Sequence, residues 1–202
     1  MEETATFPQH CLSKMDNRIR KLSYIAIFAA INYVVFTFAK INIPLAAGSH
    51  VAIHLANACV VLSSWLLGPI EGGIAGAIGL SIADLLDPRY ITSAPKTFLL
   101  KFMIAFIAGK LAQRMKLREQ QDPSQIRKIT LISAACALLF NVIFDPIIGY
   151  LYKKYLLKVG AEAASIILAY TTGVTALNAF LCTIAASLLY QALYKGFHFM
   201  DQ

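Results

Sequence analysis

The chain has 202 residues, 58% hydrophobic and only 14% charged, with a net charge of +7. A soluble domain carries about 25% charged residues and a membrane-crossing helix needs roughly 20 mostly apolar ones, so this length has room for about six spans and excludes a separate soluble catalytic domain. The basic residues gather at the ends of apolar blocks and do not interleave with aromatics, which excludes a nucleic-acid groove and leaves the pattern of orientation signals.

In chain order, residues 1–21 form a polar start with no short apolar core or small-residue cleavage site, so no cleavable signal peptide is expected there. The first apolar block runs from about Leu22 to Phe38 and closes at Lys40-Ile-Asn-Ile-Pro44. The second runs from about Val51 to Leu67 and ends at Gly68-Pro69. The third, rich in Gly and Ala, spans about Gly72 to Leu86 and stops at Asp87-Pro88. The fourth covers about Phe98 to Leu111. A charged linker, Lys110 to Lys128, leads to the fifth, about Ile129 to Tyr150, and the last runs from about Ala163 to Leu193. Pro and Gly fall mostly between blocks, where a helix can end without baring backbone groups to lipid. Pro146, inside the fifth block, is the exception and is expected to kink it. The expected architecture is an all-α six-transmembrane-helix bundle over residues 22–195, with a cytoplasmic N-terminal segment, 1–21, and a cytoplasmic C-terminal tail, 196–202.

With the N-terminus inside, 11 basic residues fall on the inner side: Lys14, Arg18, Arg20, Lys21, six in the 110–128 linker, and Lys195. The outer side holds 7: Lys40, Arg89, Lys96, Lys101, Lys153, Lys154 and Lys158. The bias places both termini in the cytoplasm, and the outer charges call for an explanation. The four cysteines, Cys11, Cys59, Cys136 and Cys182, make no CxxC or metal spacing and read as small packing residues.

Polar groups collect at the outer helix ends. His50, His54 and Asn57 open the second block. Asp84 and Asp87 end the third, followed by Arg89 and Tyr90. Lys101 lies one turn into the fourth, Asn141 and Asp145 are four apart in the fifth, and Thr171, Thr175 and Asn178 form a stripe in the sixth. Ionisable groups at membrane depth are costly and face a polar cavity or a partner. Singly each has a plainer explanation: Asp84 with Lys101 as a structural ion pair, the Thr stripe as bonds between helices. Together, several helices placing polar groups at the same end make a cavity open to the outside. Ala26 and Ala30, four apart on the first helix, either allow close approach of a partner helix or pack internally. The third helix has the same small-residue character at Gly72, Ala75, Gly76 and Gly79, where packing within the bundle is expected.

Catalytic patterns are missing. His50 and His54 lack the Glu of a His-Glu-x-x-His site; Asp84 and Asp87 have no nucleophile-and-base partner; there is no Gly-x-x-x-x-Gly-Lys-Ser/Thr for ATP, so the energy for any pumping must come from elsewhere. A secondary carrier or channel would need ionisable residues across the whole bilayer and internal repeats, and the inner helix halves have almost none of the former.

The ordered series Ile43-Pro44, Gly48, His54-Leu-Ala-Asn57, Leu67-Gly-Pro69, Gly76-Ala-Ile-Gly79, Asp84-Leu-Leu, Tyr90, Ala94-Pro-Lys-Thr97 and Lys101 resembles the substrate-binding S components of energy-coupling factor (ECF) transporters, most clearly from Leu22 to Arg114. Relatives often carry an acidic residue where this chain has Asn57 and Gly where it has Ala56, so its ligand can differ from theirs. The resemblance implies a six-helix subunit of the bacterial cytoplasmic membrane that is not an enzyme, holds no prosthetic group or metal, and binds a vitamin near the outer surface. His50, His54, Asn57, Asp84, Arg89, Tyr90, Lys101, Asn141, Asp145, Thr171, Thr175 and Asn178 would line that site, with the segment around Ala46 to His50 as a lid together with the loop after the third helix. The implied partners are a transmembrane T component, met through Ala26 and Ala30, and two ATPases, with transport by toppling of the subunit in the bilayer. Overall similarity leans to cobalamin, ahead of pyridoxine-type or hydroxymethylpyrimidine ligands and pantothenate. Lys153, Lys154 and Lys158 suit a phosphate or carboxylate, or lipid headgroups.

Overall fold

A computed structural model describes residues 9–45 and 50–200, with side chains from 17 to 194 within those ranges. It contains six α-helices and one β-hairpin in the order α1 (Gln9–Phe38), β1 (Lys40–Pro44), β2 (His50–His54), α2 (Ala56–Leu67), α3 (Pro69–Leu86), α4 (Ala94–Arg114), α5 (Pro123–Leu151) and α6 (Ala161–Met200). A single π-helical turn, Tyr152–Leu156, extends α5. Five of the helices are long and apolar enough to cross a membrane. At 12 residues, α2 is the exception, reaching only ~18 Å against a hydrocarbon core of ~30 Å.

The second apolar block is therefore not one helix. Its first residues, His50-Val-Ala-Ile-His54, pair antiparallel with Lys40-Ile-Asn-Ile-Pro44, with Ile43 opposite Val51 and Ile41 opposite Ile53. A short apolar run reads alike for either period, and pairing with the β-branched Ile41 and Ile43 of the partner strand settles it as strand. The helix starts only at Ala56, where β-branching gives way to Ala-Asn-Ala-Cys. Pro146 does lie inside α5, where its missing N–H removes one helical bond.

Glycines fix the close crossings on α3. Gly68 joins α2 to α3 at φ 114°, a conformation only glycine adopts freely, and Pro69 starts the next helix. A side chain on Gly72 would run into the Ser64 backbone, and one on Gly79 into the Ala29 carbonyl of α1. The small-residue face of α3 thus packs inside the bundle, against α1, α2 and α4, while α5 packs on α6. The core between them is built from Val60, Val61, Trp65, Leu80, Ile104 and Leu138. Large apolar side chains such as Ile27, Leu85, Leu99, Phe180 and Leu188 stay exposed around the outside, the arrangement expected where lipid is the solvent. Only 17% of the α1 span is buried, and Ala26 and Ala30 are both exposed on it.

Candidate functional site

The hairpin, the first turn of α2, the ends of α3 and α5, the start of α4 and the first half of α6 surround a cavity of about 110 Å³, or about 860 Å³ of open space when its mouth is counted. Of the residues singled out from sequence, the cavity walls hold His50, His54, Asn57, Asp84, Tyr90, Lys101, Asn141, Asp145, Thr171, Thr175 and Asn178. Arg89 stands apart. It is exposed and forks onto Asp87, with Nε at 2.9 Å from Oδ1 and an η nitrogen at 2.8 Å from Oδ2.

Five of these wall residues carry buried polar atoms without a hydrogen-bond partner: His50 Nδ1, His54 Nδ1, Asn57 Oδ1, Asp84 Oδ1 and Asn141 Oδ1. A buried polar atom left unsatisfied costs roughly 1–3 kcal/mol, and five such atoms gather around this one cavity. The remaining bonds hold the surface in place. Thr97 donates its hydroxyl to Asp84 Oδ2 at 2.5 Å. Lys96 Nζ lies 2.6 Å from Asp145 Oδ1, and Thr175 donates to Asp145 Oδ2 at 3.3 Å. The ion pair across this cavity is thus Lys96 with Asp145, while Asp84 is held by Thr97. Lys101 is buried with no hydrogen-bonded partner among the described residues, and Lys153 of the π-helical turn also faces the cavity.

Asn178 is engaged differently. Its Oδ1 accepts the His54 backbone N–H at 3.0 Å and its Nδ2 donates to the Ala52 carbonyl at 2.8 Å. The free edge of β2, which would otherwise leave backbone groups bare, is completed by one side chain from α6. Cys182, one turn further on, adds an S–H contact to the His54 carbonyl at 3.4 Å.

A second set of contacts closes the hairpin over the cavity. Lys40 Nζ sits 2.9 Å from Asp87 Oδ2 and 4.5 and 4.8 Å from the ring centres of Phe36 and Tyr90. The Tyr90 hydroxyl donates to Asn42 Oδ1 at 2.8 Å. The Arg89 guanidinium beside Asp87 outweighs partial burial and, with Lys40, holds its carboxyl well below the usual carboxylate range. Burial pushes the Tyr90 hydroxyl up to about 12. Burial, reinforced by the nearby Lys101 ammonium, pushes the His54 imidazole down to about 3, so it stays neutral. Its ring meets Phe36 edge-on at 5.0 Å. The tip of the lid expected at Ala46 to His50 lies outside the described residues as far as Ser49.

On a strand His50 and His54 lie ~13 Å apart along the chain, too far to share one metal ion, although on a helix they would be neighbours. Lys96, Thr97, Phe36, Tyr150 and Lys153 also line the cavity. The outer position of the two lysines was a usable signal; nothing in sequence periodicity marked Phe36, which faces inward from the end of α1. Six of the seven basic residues expected on the outer side have a place here: Lys40 and Arg89 meet Asp87, Lys96 meets Asp145, Lys101 and Lys153 face the cavity, and Lys154 donates to the Tyr150 hydroxyl at 3.2 Å.

Residues 16–195 match the family model described as ECF-type riboflavin transporter, S component. The fold is similar to that of the S-component for biotin from an ECF-type ABC transporter, with a TM-score of 0.56 and 19% identity over 87% of this chain and 93% of that one. It is equally similar to an S component of a bacterial ECF transporter, with a TM-score of 0.56 and 19% identity over 89% and 98% of the two chains. At that identity the likeness is one of fold. No curated protein sequence matches.

Proposed function

The chain belongs to the family of S components of ECF-type riboflavin transporters, and from that premise we propose that it captures a flavin-class vitamin in the cavity beneath the hairpin. The observation that carries this reading is the set of five unpartnered polar atoms converging on one cavity. A flat heteroaromatic ring with alternating donors and acceptors suits the amides of Asn57 and Asn141 and the carboxyl of Asp84. Phe36, Tyr90 and Tyr150 offer aromatic surface, and a hydroxylated chain suits Thr171 and the imidazoles. Cobalamin, the vitamin expected from sequence, is set behind riboflavin because the matching family model is described for riboflavin.

Calorimetry of the purified chain against riboflavin, biotin, pantothenate, pyridoxine and cobalamin tests the proposal. Riboflavin should bind tightest, and Asn57→Leu or Asn141→Leu should weaken it at least tenfold. Tighter binding of another vitamin, with no riboflavin signal, overturns the flavin assignment.

A second reading concerns charge. Lys101 and Lys153 face the cavity without hydrogen-bonded partners among the described residues, which favours a ligand carrying phosphate or carboxylate. Lys153→Gln should then reduce affinity for a phosphorylated flavin more than for riboflavin; an equal effect removes this reading.

ECF S components work with a T component and ATPases, and the exposed face of α1 carrying Ala26 and Ala30 is the proposed contact. Both termini are proposed to be cytoplasmic, in a bacterial cytoplasmic membrane. Ala26→Trp or Ala30→Trp should reduce co-purification of the T component while leaving vitamin binding intact. Full assembly in both variants would remove the docking role.

A further inference from the structure

Asp84 of α3 and Lys101 of α4 both line the cavity, are 2% and 8% exposed, and do not complete one another. Thr97 donates its hydroxyl to Asp84 Oδ2 and leaves Oδ1 as a buried acceptor without a donor. Lys101 follows Thr97 by four residues, so the two stand on one face of α4. Its ammonium lies within the field of the Asp84 carboxylate, yet it makes no ion pair or hydrogen bond with any described residue. Nor is it among the sealed polar atoms, so it opens on the cavity.

The other acid in the wall is already matched, since Asp145 takes Lys96 at 2.6 Å. What remains is one buried cationic donor and one buried acceptor on two helices that pack together. A buried charge without a partner is costly, so a ligand has to supply both complements. An anion set against Lys101 would also bring its charge toward the open oxygen of Asp84. A neutral group that donates and accepts side by side meets both demands at once.

Resting on the flavin-class reading, we propose that Asp84 and Lys101 are the specificity-determining pair that seats the imide edge of the ring. Asp84 Oδ1 accepts the imide N–H, and the Lys101 ammonium donates to the neighbouring carbonyl oxygen. The ring is thereby held by its polar end between α3 and α4. Lys153, half-buried on the π-helical turn beyond α5, is left for any charged tail.

The full chain in detergent is titrated by calorimetry with riboflavin and with riboflavin methylated at the imide nitrogen. The methylated ligand should bind at least about tenfold more weakly, because the methyl group removes the donor and keeps the edge from its partners. Asp84→Asn and Lys101→Met, each close in volume to the residue replaced, should each weaken riboflavin at least about tenfold and the methylated ligand less than about threefold. A merely structural role would weaken both ligands alike, and that outcome overturns the proposal. Equal binding of the two ligands by the unsubstituted chain also overturns it, and this comparison needs no variant to fold. In that case the flavin reading still stands, whereas a chain that binds no riboflavin removes both.

Discussion

Asn178 of α6 is bound to the backbone of β2 at both ends of its amide, receiving the His54 N–H and donating to the Ala52 carbonyl. One side chain thereby does what a third strand would do, and the hairpin can lie at the level of the cavity without bare backbone groups. Replacing Asn178 by Leu leaves a donor and an acceptor buried and unpaired, a loss of about 2–4 kcal/mol. Thermal unfolding in detergent should show a lowered midpoint and vitamin affinity should fall with it. Asn178→Asp should be intermediate, because a carboxylate still accepts from His54 but cannot donate to Ala52. If Leu at this position changes neither readout, the amide is not what holds the hairpin.

The neutral, buried His54 makes closure of the hairpin pH-dependent. Its folded pKa, pushed to about 3 by burial, lies below the ordinary 6.5, so the closed form binds fewer protons than any form exposing the ring. The stabilisation is complete above pH 6.5 and is lost progressively as pH falls toward 3. At pH 5 the loss is at most about 2 kcal/mol. Asp87 adds the same sign at lower pH, its depressed pKa favouring the closed form until the carboxyl is protonated. Hydrogen exchange of the β1 and β2 amides should accelerate, after correction for intrinsic rates, between pH 7.5 and 5, and His54→Gln should flatten that profile. A flat profile in the unsubstituted chain would contradict a buried neutral imidazole.

The Lys40–Asp87 pair should behave as a latch with nearly buried partners, their side chains being 6% and 12% exposed. Removing the Asp87 charge strands Lys40, whereas Asp87 without Lys40 still has Arg89, and Asp87→Asn is expected to cost roughly 3 kcal/mol. Replacing both, as Lys40→Met with Asp87→Asn, should cost less than the sum of the single changes. Additive effects in the double-mutant cycle would mean the two residues act independently.

Glycine substitutions should separate by position. Gly79→Ala pushes α3 off the Ala29 carbonyl of α1 and should lower the thermal midpoint or block folding, a loss of about 2–4 kcal/mol. Gly173 has nothing within 4 Å of the position a side chain would take, and Gly173→Ala should leave stability within about 0.5 kcal/mol. Equal tolerance at both sites would mean that the crossing of α1 and α3 is loose.

Apolar blocks and their Gly and Pro boundaries were readable because a membrane helix needs length and little else. The gathering of His54, Asn57, Asp84 and Asn141 at one end of the bundle was readable because such groups are rare in lipid. The hairpin was not, since Val51-Ala-Ile fits helix and strand equally until a partner strand is known. Pairings were not readable either: a Lys101–Asp84 ion pair is one reading of the sequence, yet Thr97 takes that carboxylate and Lys96 takes Asp145. Choice of partner among several nearby charges depends on helix rotation, which only packing fixes. The engagement of Asn178 with a strand edge needed the hairpin first.

The brevity of α2 is the reason the molecule has an interior hold at all. A helix continued upward from Ala56 through His50 would plug the space now open between α3, α5 and α6 and would satisfy its own backbone without help from α6. The chain instead stops the helix early, folds the spare residues into a flap and leaves a berth. A variant in which residues 50–55 are recast as strong helix formers should still insert and fold as a bundle, yet arrive in the membrane with no room for cargo.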